Sequence, residues 1–275
     1  METWSGTITG VGGLRLFYQG WLPDADPKAR LAICIGLAEH GGRYAHVGAA
    51  LAARGFAVWA LDLQGHGRSE GVRGYVERYD IYVEDTATFL AQTAPAPKTF
   101  LYGHSMGAST ALRLAELYPE RVDGLVLTGT TLQAGEFVPA WMIAAASVLS
   151  ASTPRLRLVA IPAGELSHDP AVNAGYDSDP LVFRGKFTAR LGAEILRINA
   201  HLLKHVGEIA TPMLIMHGAE DRITNVNGAR ALYECAGAPD KTLKIWEGMY
   251  HEIHNEPAVK DAVIAMIGDW MEARL

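Results

Sequence analysis

The chain has 275 residues, which is enough for one large domain or for a core with an inserted subdomain. Hydrophobic residues make up 49% of the sequence and charged residues 20%, a balance typical of soluble globular proteins. The net charge of −6 and the lack of a basic stripe argue against nucleic acid as a partner. No basic region followed by an apolar run opens the chain, and no apolar stretch reaches about 18 residues, so we expect a cytoplasmic protein without a membrane span.

Strands and helices alternate in the first half of the chain. Apolar and β-rich runs predict strands at residues 3–9, 14–21, 31–35, 56–61, 98–102 and 122–128, and helical spacing predicts helices at residues 44–54, 80–93 and 106–118. The first two strands, separated by V-G-G, should form a hairpin, whereas the third is wholly apolar, as in strands buried on both faces of a parallel sheet. This alternation predicts an α/β fold whose functional groups collect at the carboxyl ends of the strands.

The alternation stops between residues 132 and 196, where helix-like apolar sequence is broken by prolines. We predict that this segment is a cap inserted into a core made of residues 1–131 and 197–275. The core should resume with a connecting helix at residues 197–208, strands at 213–217 and 242–246, and helices at 225–235 and 257–275.

Residues 103–107 read G-H-S-M-G, a G-x-S-x-G pentapeptide between a predicted strand and a helix rich in small residues. At such a turn the serine has a strained backbone and its hydroxyl is lifted clear of the sheet. In a chain with 29 glycines the pentapeptide alone proves little, so the strand before it and the helix after it carry the argument. They make Ser105 the predicted nucleophile.

A serine hydroxyl needs a base to take its proton and an acid to orient that base. In α/β-hydrolases the acid and then the histidine follow the serine along the chain. Asp221 follows the predicted strand at 213–217 and is the expected acid, with Glu220 as its competitor. His251 follows the predicted strand at 242–246 and is the expected base, with His254 as the alternative.

Two histidine patterns suggest other chemistry but lack its remaining parts. His201 and His205 are four residues apart, as in zinc-binding helices, but the glutamate of H-E-x-x-H and a third ligand are missing, so we expect no metal. The G-H-G at residues 65–67 lacks the G-x-G-x-x-G spacing of a nucleotide site and is explained by a tight turn.

Longer motifs surround these residues and are more specific than the pentapeptide. They are E-H-G-G-R-Y at 39–44, D-L-Q-G-H-G-R-S-E-G at 62–71, Y-D-S-D-P-L at 176–181 and K-T-L-K-I-W-E-G-M-Y-H-E-I-H-N-E at 241–256. With them the chain resembles, over nearly its whole length, the monoglyceride lipase family of α/β-hydrolases, which includes lysophospholipase-like enzymes. The resemblance implies an α/β-hydrolase fold with a mostly parallel eight-stranded sheet flanked by helices and an inserted helical cap. It also implies cleavage of monoacylglycerols to glycerol and fatty acid through an acyl-enzyme, with a small lipid ester as substrate and no cofactor.

One position departs from the family pattern. The family usually has His-Gly after its third strand, and counting back from Arg43 places Ile35-Gly36 there. The alternative alignment on His40-Gly41 would shorten the loop and break the match of the motif at 39–44, so we prefer the first. The oxyanion donors are backbone N–H groups, so Leu37 and Met106 can still supply them. The imidazole that would brace this loop is nevertheless missing.

The resemblance also carries over residues expected to contact the glycerol side of the substrate. They are Glu39, Arg43, His104, Tyr176 and His254. Structural roles, such as a Glu–Arg pair or a tyrosine that anchors the cap, are the alternative. The apolar segment 137–149 would line a tunnel for the acyl chain and would contact lipid surfaces transiently, unless it is an ordinary packing helix.

Two alternative functions are also compatible with the sequence. On the same serine, acid and base it could be a carboxylesterase for other small or xenobiotic esters or for lysophospholipids. A ligand-binding protein of hydrolase fold without catalysis is the alternative outside the enzymes, and the complete serine, acid and base argue against it.

Overall fold

The computed structural model describes residues 2–135 and 138–275. The strands of the main sheet are β1 (Glu2–Thr9), β2 (Arg15–Leu22), β3 (Ala29–Cys34), β4 (Phe56–Leu61), β5 (Thr99–His104), β6 (Gly124–Thr128), β9 (Met213–Gly218) and β10 (Lys241–Trp246). Two short strands, β7 (Arg157–Val159) and β8 (Phe187–Thr188), form a separate antiparallel ribbon. The helices are α1 (Ala45–Ala53), α2 (Asp80–Gln92), α3 (Met106–Leu117), α4 (Ala140–Ser152), α5 (Pro170–Ser178), α6 (Ala189–His205), α7 (Val226–Cys235) and α8 (Lys260–Glu272).

The strands of the main sheet lie in the order β1-β2-β4-β3-β5-β6-β9-β10. The first two form the expected antiparallel hairpin, β2 pairs with β4 in antiparallel fashion, and all remaining neighbours are parallel. Every residue of β4, β5, β6 and β9 is buried, because helices cover both faces of a parallel sheet. The predicted α/β-hydrolase fold with a mostly parallel eight-stranded sheet is confirmed.

The parallel register brings the carboxyl ends of the central strands to one edge of the sheet. Cys34 at the end of β3 pairs with Gly103 on β5, and His104 pairs with Thr128 at the end of β6. On the other side of β6, β9 continues the sheet and pairs with β10. The loops that leave β3, β5, β9 and β10 therefore meet at this edge, which positions the site.

In the predicted cap, residues 132–196, the observed secondary structure differs from the expected one. The segment contains not only α4 and α5 but also the β7–β8 ribbon, whose strands are too short to give a pattern in the sequence. Helix α6 begins at Ala189 rather than at residue 197, because Thr188 caps it by accepting the N–H of Leu191. The helix thus crosses the predicted boundary between cap and core, and the bounds of the two domains stay a prediction.

The cap segment is tied to the loop that carries His251. The N–H of Glu252 donates to the carbonyl of Leu166 at 2.8 Å. The buried carboxylate of Glu256 accepts from the Ser167 hydroxyl and from the backbone N–H of His168, both at 3.1 Å. Through these contacts the predicted cap helps to fix the loop that carries His251.

Across the two described stretches of chain, none of the helices combines the length and the apolar character needed to cross a bilayer.

Candidate active site

Ser105 lies at a sharp turn between β5 and α3. Its backbone has φ 54° and ψ −120°, a conformation that a residue with a side chain rarely adopts. The turn is held because the Ser105 N–H donates to the carbonyl of Thr128 at 2.8 Å. A Cβ on Gly107 would lie 1.9 Å from the carbonyl oxygen of Cys34, so only glycine lets α3 pack this closely against β3. The structure therefore has the strained strand–turn–helix geometry of a nucleophile elbow at the predicted serine.

Ser105 lines a cavity together with Leu37 and Met106. Met106 is the first residue of α3, where backbone N–H groups have no acceptor within the helix and the positive end of the helix dipole lies. Leu37 follows β3 in the neighbouring loop. The two predicted oxyanion donors thus belong to residues on the wall that carries the serine.

The loop after β3 is anchored by a carboxylate rather than by an imidazole. Ile35 is fully buried in the core, and the next residue, Gly36, donates its N–H to Glu39 Oε1 at 2.5 Å. The same oxygen accepts from the Tyr44 hydroxyl at 2.5 Å, and Arg43 donates to Glu39 Oε2 at 2.8 Å. Glu39 therefore holds this loop although position 35 has no imidazole.

Asp221 and His251 are brought together by the loops after β9 and β10. The distance between His251 Nδ1 and Asp221 Oδ2 is 2.7 Å, and both side chains are buried. Asp221 Oδ1 accepts the N–H groups of Ile223 at 2.8 Å and of Thr224 at 2.9 Å, which fixes the plane of the carboxylate. The competing acid, Glu220, is exposed. Because Nδ1 faces the aspartate, Nε2 is the nitrogen of His251 that can exchange protons with a substrate.

The electrostatics of this pair suit a base held by an ionised acid. Burial works to raise the pKa of Asp221, but the charge of His251 and hydrogen bonds from His217 and His251 hold it well below its usual range. Burial works to lower the pKa of His251, but the charge and hydrogen bond of Asp221 outweigh it and raise that pKa above its ordinary value. An imidazolium at His251 is therefore stabilised.

His251 lies beside the turn that carries the serine. A Cβ on Gly129, which directly follows the Thr128 that holds Ser105, would lie 2.9 Å from His251 Cε1. The ring of His104, next to the serine, lies 4.7 Å from that of His251. Burial, and after it the nearby His251 and His254, hold the pKa of His104 well below its ordinary value, so His104 adds no charge beside the base.

The expected glycerol-side residues lie close to one another and to the loop that carries His251. Arg43 makes a two-pronged contact with Glu252, at 2.6 Å and 2.8 Å, and its guanidinium lies 5.0 Å from the centre of the Tyr176 ring. Burial raises the pKa of Glu39, whereas Glu252, although also buried, has its pKa lowered to about 2 by Arg43. His254 stacks on Tyr44 with ring centres 5.0 Å apart.

In the described part of the chain, none of the five predicted glycerol-side residues is among those that line the cavity beside Ser105. The contacts that they make in this conformation are with other protein groups, so their role toward a substrate stays a prediction. Glu252 was missed by the sequence reasoning. Its place directly after His251 was the available signal, but only the fold reveals Arg43 as its partner.

Removing the guanidinium from this network should destabilise the protein strongly. In Arg43→Met two buried carboxylates lose their counter-charge, so we expect the free energy of unfolding to fall by about 3–5 kcal/mol at pH 8. The loss should shrink toward pH 5, because unpaired buried carboxylates have raised pKa values and bind protons more readily in the folded state. Urea denaturation at both pH values measures the effect.

Arg78→Met is the matched control, since Arg78 makes the same two-pronged contact with Glu84, at 2.6 Å and 2.7 Å, on the protein surface. There we expect a loss below about 1 kcal/mol. Equal losses in the two variants would show that the buried network is not held by its charges.

The cavity beside Ser105 is mostly apolar. The space between its protein atoms is about 980 Å³ when the part open to solvent is counted, and its apolar lining suits an apolar part of a ligand. Helix α4 contributes Met142, Ile143 and Ala146 to one wall. Further lining residues come from β7, β8, α6 and the loop after Asp221, among them Leu158, Phe187, Leu191, Ile195, Leu196 and Ile223. Of the segment 137–149 expected to line an acyl tunnel, Phe137 lies outside the described residues.

The two histidines that are four residues apart on α6, His201 and His205, each pair with a glutamate. His201 Nε2 lies 2.8 Å from Glu116 Oε1, and His205 Nδ1 lies 3.0 Å from Glu208 Oε1. Within residues 2–135 and 138–275, no group of three or more His, Cys, Asp or Glu side chains has an arrangement that could hold a metal ion.

Comparison with known proteins agrees with this geometry. Residues 25–258 match a family model described as Hydrolase_4, serine aminopeptidase, S33. The chain is 34% identical over 272 residues to the monoacylglycerol lipase of Mycolicibacterium smegmatis, covering 98% of this chain and 97% of that protein. It is 33% identical over 272 residues to the monoglyceride lipase of Homo sapiens, covering 97% of this chain and 90% of that one.

A solved structure supports the same family. The crystal structure of Paleococcus ferrophilus monoacylglycerol lipase superposes with a TM-score of 0.86 at 29% identity and covers the whole of both chains. Sequence and fold therefore agree over the full length, and the chain belongs to the monoacylglycerol lipase family of serine hydrolases.

Proposed function

We propose that the protein hydrolyses monoacylglycerols to glycerol and a free fatty acid through an acyl-enzyme on Ser105. The observation that carries this is the position of Ser105 at a strained turn on the wall of an apolar cavity, next to the Asp221–His251 pair. The names of the relatives support the same substrate class.

In the first half of the reaction, Ser105 Oγ attacks the ester carbonyl carbon while His251 Nε2 takes the hydroxyl proton. The negative charge that develops on the carbonyl oxygen is stabilised by the N–H groups of Leu37 and Met106. Collapse of the tetrahedral intermediate breaks the bond to the glycerol oxygen, which leaves with the proton held on His251. The acyl group stays on Ser105.

In the second half, His251 Nε2 takes a proton from water, whose oxygen attacks the acyl carbonyl. The intermediate collapses to the fatty acid, and the proton returns to Ser105. Asp221 stays ionised throughout and stabilises the imidazolium that forms in both halves. In this proposal the apolar cavity takes the acyl chain, and the polar residues around Arg43 are the candidates for contact with glycerol.

A substrate profile tests this proposal. Rates for monoacylglycerols of several chain lengths are compared with those for di- and triacylglycerols, simple alkyl esters, a lysophospholipid and an aminoacyl arylamide, with Ser105→Ala as the blank. We expect the highest kcat/KM for a monoacylglycerol. A higher value for simple esters or lysophospholipids would favour the carboxylesterase alternative, and cleavage of the arylamide alone would contradict ester hydrolysis.

We also propose that the exposed face of α4 contacts lipid aggregates. Trp141 and Val148 on α4 are 62% and 67% exposed, and Ser150 is the only buried residue of that helix. An exposed apolar helix face suits the boundary between water and acyl chains. The cytoplasmic location stays a prediction.

Charging this surface should affect aggregated substrate only. In the double variant Trp141→Glu, Val148→Glu we expect the rate on emulsified long-chain monoacylglycerol to fall about tenfold, because roughly 1–2 kcal/mol of apolar contact is lost. The rate on a short-chain, monomeric ester should be unchanged. Trp4→Glu, at a 52% exposed tryptophan on β1, is the matched control. Equal losses on both substrates would contradict a role in lipid contact.

A further inference from the structure

A second imidazole approaches the acid of the site from the sheet. His217, on β9, is fully buried, and its Nε2 lies 3.0 Å from Asp221 Oδ2. The same oxygen is 2.7 Å from Nδ1 of His251. One carboxylate oxygen therefore serves two histidines, of which the proposed reaction uses only one.

The surroundings of His217 fix which of its nitrogens carries the proton. Nε2 faces three oxygens: Asp221 Oδ2 at 3.0 Å, Thr224 Oγ1 at 3.3 Å and the Thr224 carbonyl at 3.4 Å. A lone pair on Nε2 would point at a carboxylate and a carbonyl, which repel it, so Nε2 carries the proton. Nδ1 is buried and has no hydrogen-bond partner among the residues that the structure describes.

The unpartnered Nδ1 agrees with this assignment of the proton. A proton there would be a buried N–H without an acceptor among the described residues, whereas an unprotonated Nδ1 leaves only a lone pair unsatisfied. His217 therefore directs a single N–H, at Nε2, toward the turn from Asp221 to Thr224.

Among the donors to Asp221, His217 differs in its origin. The N–H groups on Oδ1 belong to Ile223 and Thr224, which lie in the same turn as the aspartate and move with it. The Thr224 hydroxyl, 2.8 Å from Oδ2, has a single proton and a second acceptor, the carbonyl of Gly129 at 3.1 Å.

His217 by contrast is fixed in the sheet. It pairs in register with Ile245 of β10, and its neighbour Met216 pairs with Thr128 of β6. Because parallel strands flank it on both sides, its ring can hold the turn against the sheet.

We propose that His217 is a positioning residue of the catalytic site: its Nε2–H anchors the Asp221 carboxylate and the turn to Thr224 where that carboxylate orients His251. The inference rests on the proposed function of Ser105, Asp221 and His251. His217 is not among the residues that line the described cavity, so it acts through Asp221 and not on the substrate.

Two substitutions separate this role from simple packing. In His217→Gln the side-chain amide can place an N–H close to where Nε2 lies, whereas His217→Met fills similar space without a donor. We expect kcat for a short-chain monoacylglycerol to fall roughly 10- to 100-fold in the Met variant, with KM unchanged, and to stay within about fivefold of wild type in the Gln variant. If His217 only filled space, the apolar Met would be tolerated at least as well as Gln, because it buries no polar group.

The order of the two variants therefore decides the question. A Met variant that equals or exceeds the Gln variant in kcat would overturn the proposal, whether both are active or both are impaired. Should the Met variant not fold, nitrogen-15 NMR of histidine-labelled wild-type protein still tests the donor. We expect His217 to carry its proton on Nε2 alone, and a proton on Nδ1 would overturn the inference. If the wild-type protein cleaves no ester, the proposed function fails, while the NMR result still shows whether the donor exists.

Discussion

Ser105→Ala should abolish ester hydrolysis while leaving the fold intact. Without the hydroxyl no acyl-enzyme can form, and we expect kcat for a monoacylglycerol to fall at least about 10⁴-fold. Alanine removes only one oxygen atom from the turn, and the Ser105 N–H bond to Thr128 that holds it is a backbone bond and is kept. The thermal unfolding midpoint should therefore stay close to that of wild type. Activity within tenfold of wild type would show that another residue is the nucleophile.

Asp221→Asn should be the next most damaging change. The Asn side chain can donate an N–H to Nδ1 of His251, which then carries its proton on Nε2, the nitrogen that must accept the proton of Ser105. We expect kcat to fall about 10⁴-fold, as is typical when such an acid is replaced by its amide. Kinetics on a short-chain monoacylglycerol measure the loss.

The pH dependence of kcat/KM tests the Asp221–His251 pair, because the pair predicts the direction in which the profile shifts. If His251 is the base, as we propose, its neutral form is the active one, and kcat/KM should rise with pH as this residue loses its proton. Because Asp221 raises the pKa of His251, the acidic limb of the wild-type profile should lie at higher pH than the ordinary pKa of a histidine, and in Asp221→Asn it should move to lower pH.

The adjacent carboxylate provides the control for these measurements. Glu220 is exposed and directly precedes Asp221. In Glu220→Gln we expect kcat and the acidic limb of the pH profile to be the same as in wild type. If the Gln variant were as impaired as Asp221→Asn, the assignment of the acid would be wrong.

Much of this architecture could be predicted from the sequence because its signals are local. Apolar runs of five or six residues marked the strands that are buried on both faces. The strand before Ser105 and the helix after it marked the turn, and the chain order of serine, acid and base pointed to Asp221 and His251. These features depend on residues that are close together in the chain or on an order that the fold imposes.

What the sequence could not supply depends on contacts between distant residues. Ribbon strands of two and three residues are too short to show a period, and the start of α6 depends on a cap at Thr188. Glu39 holds the loop after β3 by accepting the backbone N–H of Gly36, a contact that the sequence pattern does not reveal. Arg43 and Glu252 meet across 209 positions of sequence.

Titration with a fluorophosphonate probe tests the central claim most directly, because it reports the activated serine without depending on the choice of substrate. We expect one probe molecule to bind covalently per chain, inactivation in proportion to labelling, and the adduct on Ser105 when the labelled protein is digested and mapped by mass spectrometry. Ser105→Ala should take up no probe. A folded, active protein that is not labelled, or an adduct on a different residue, would contradict the account.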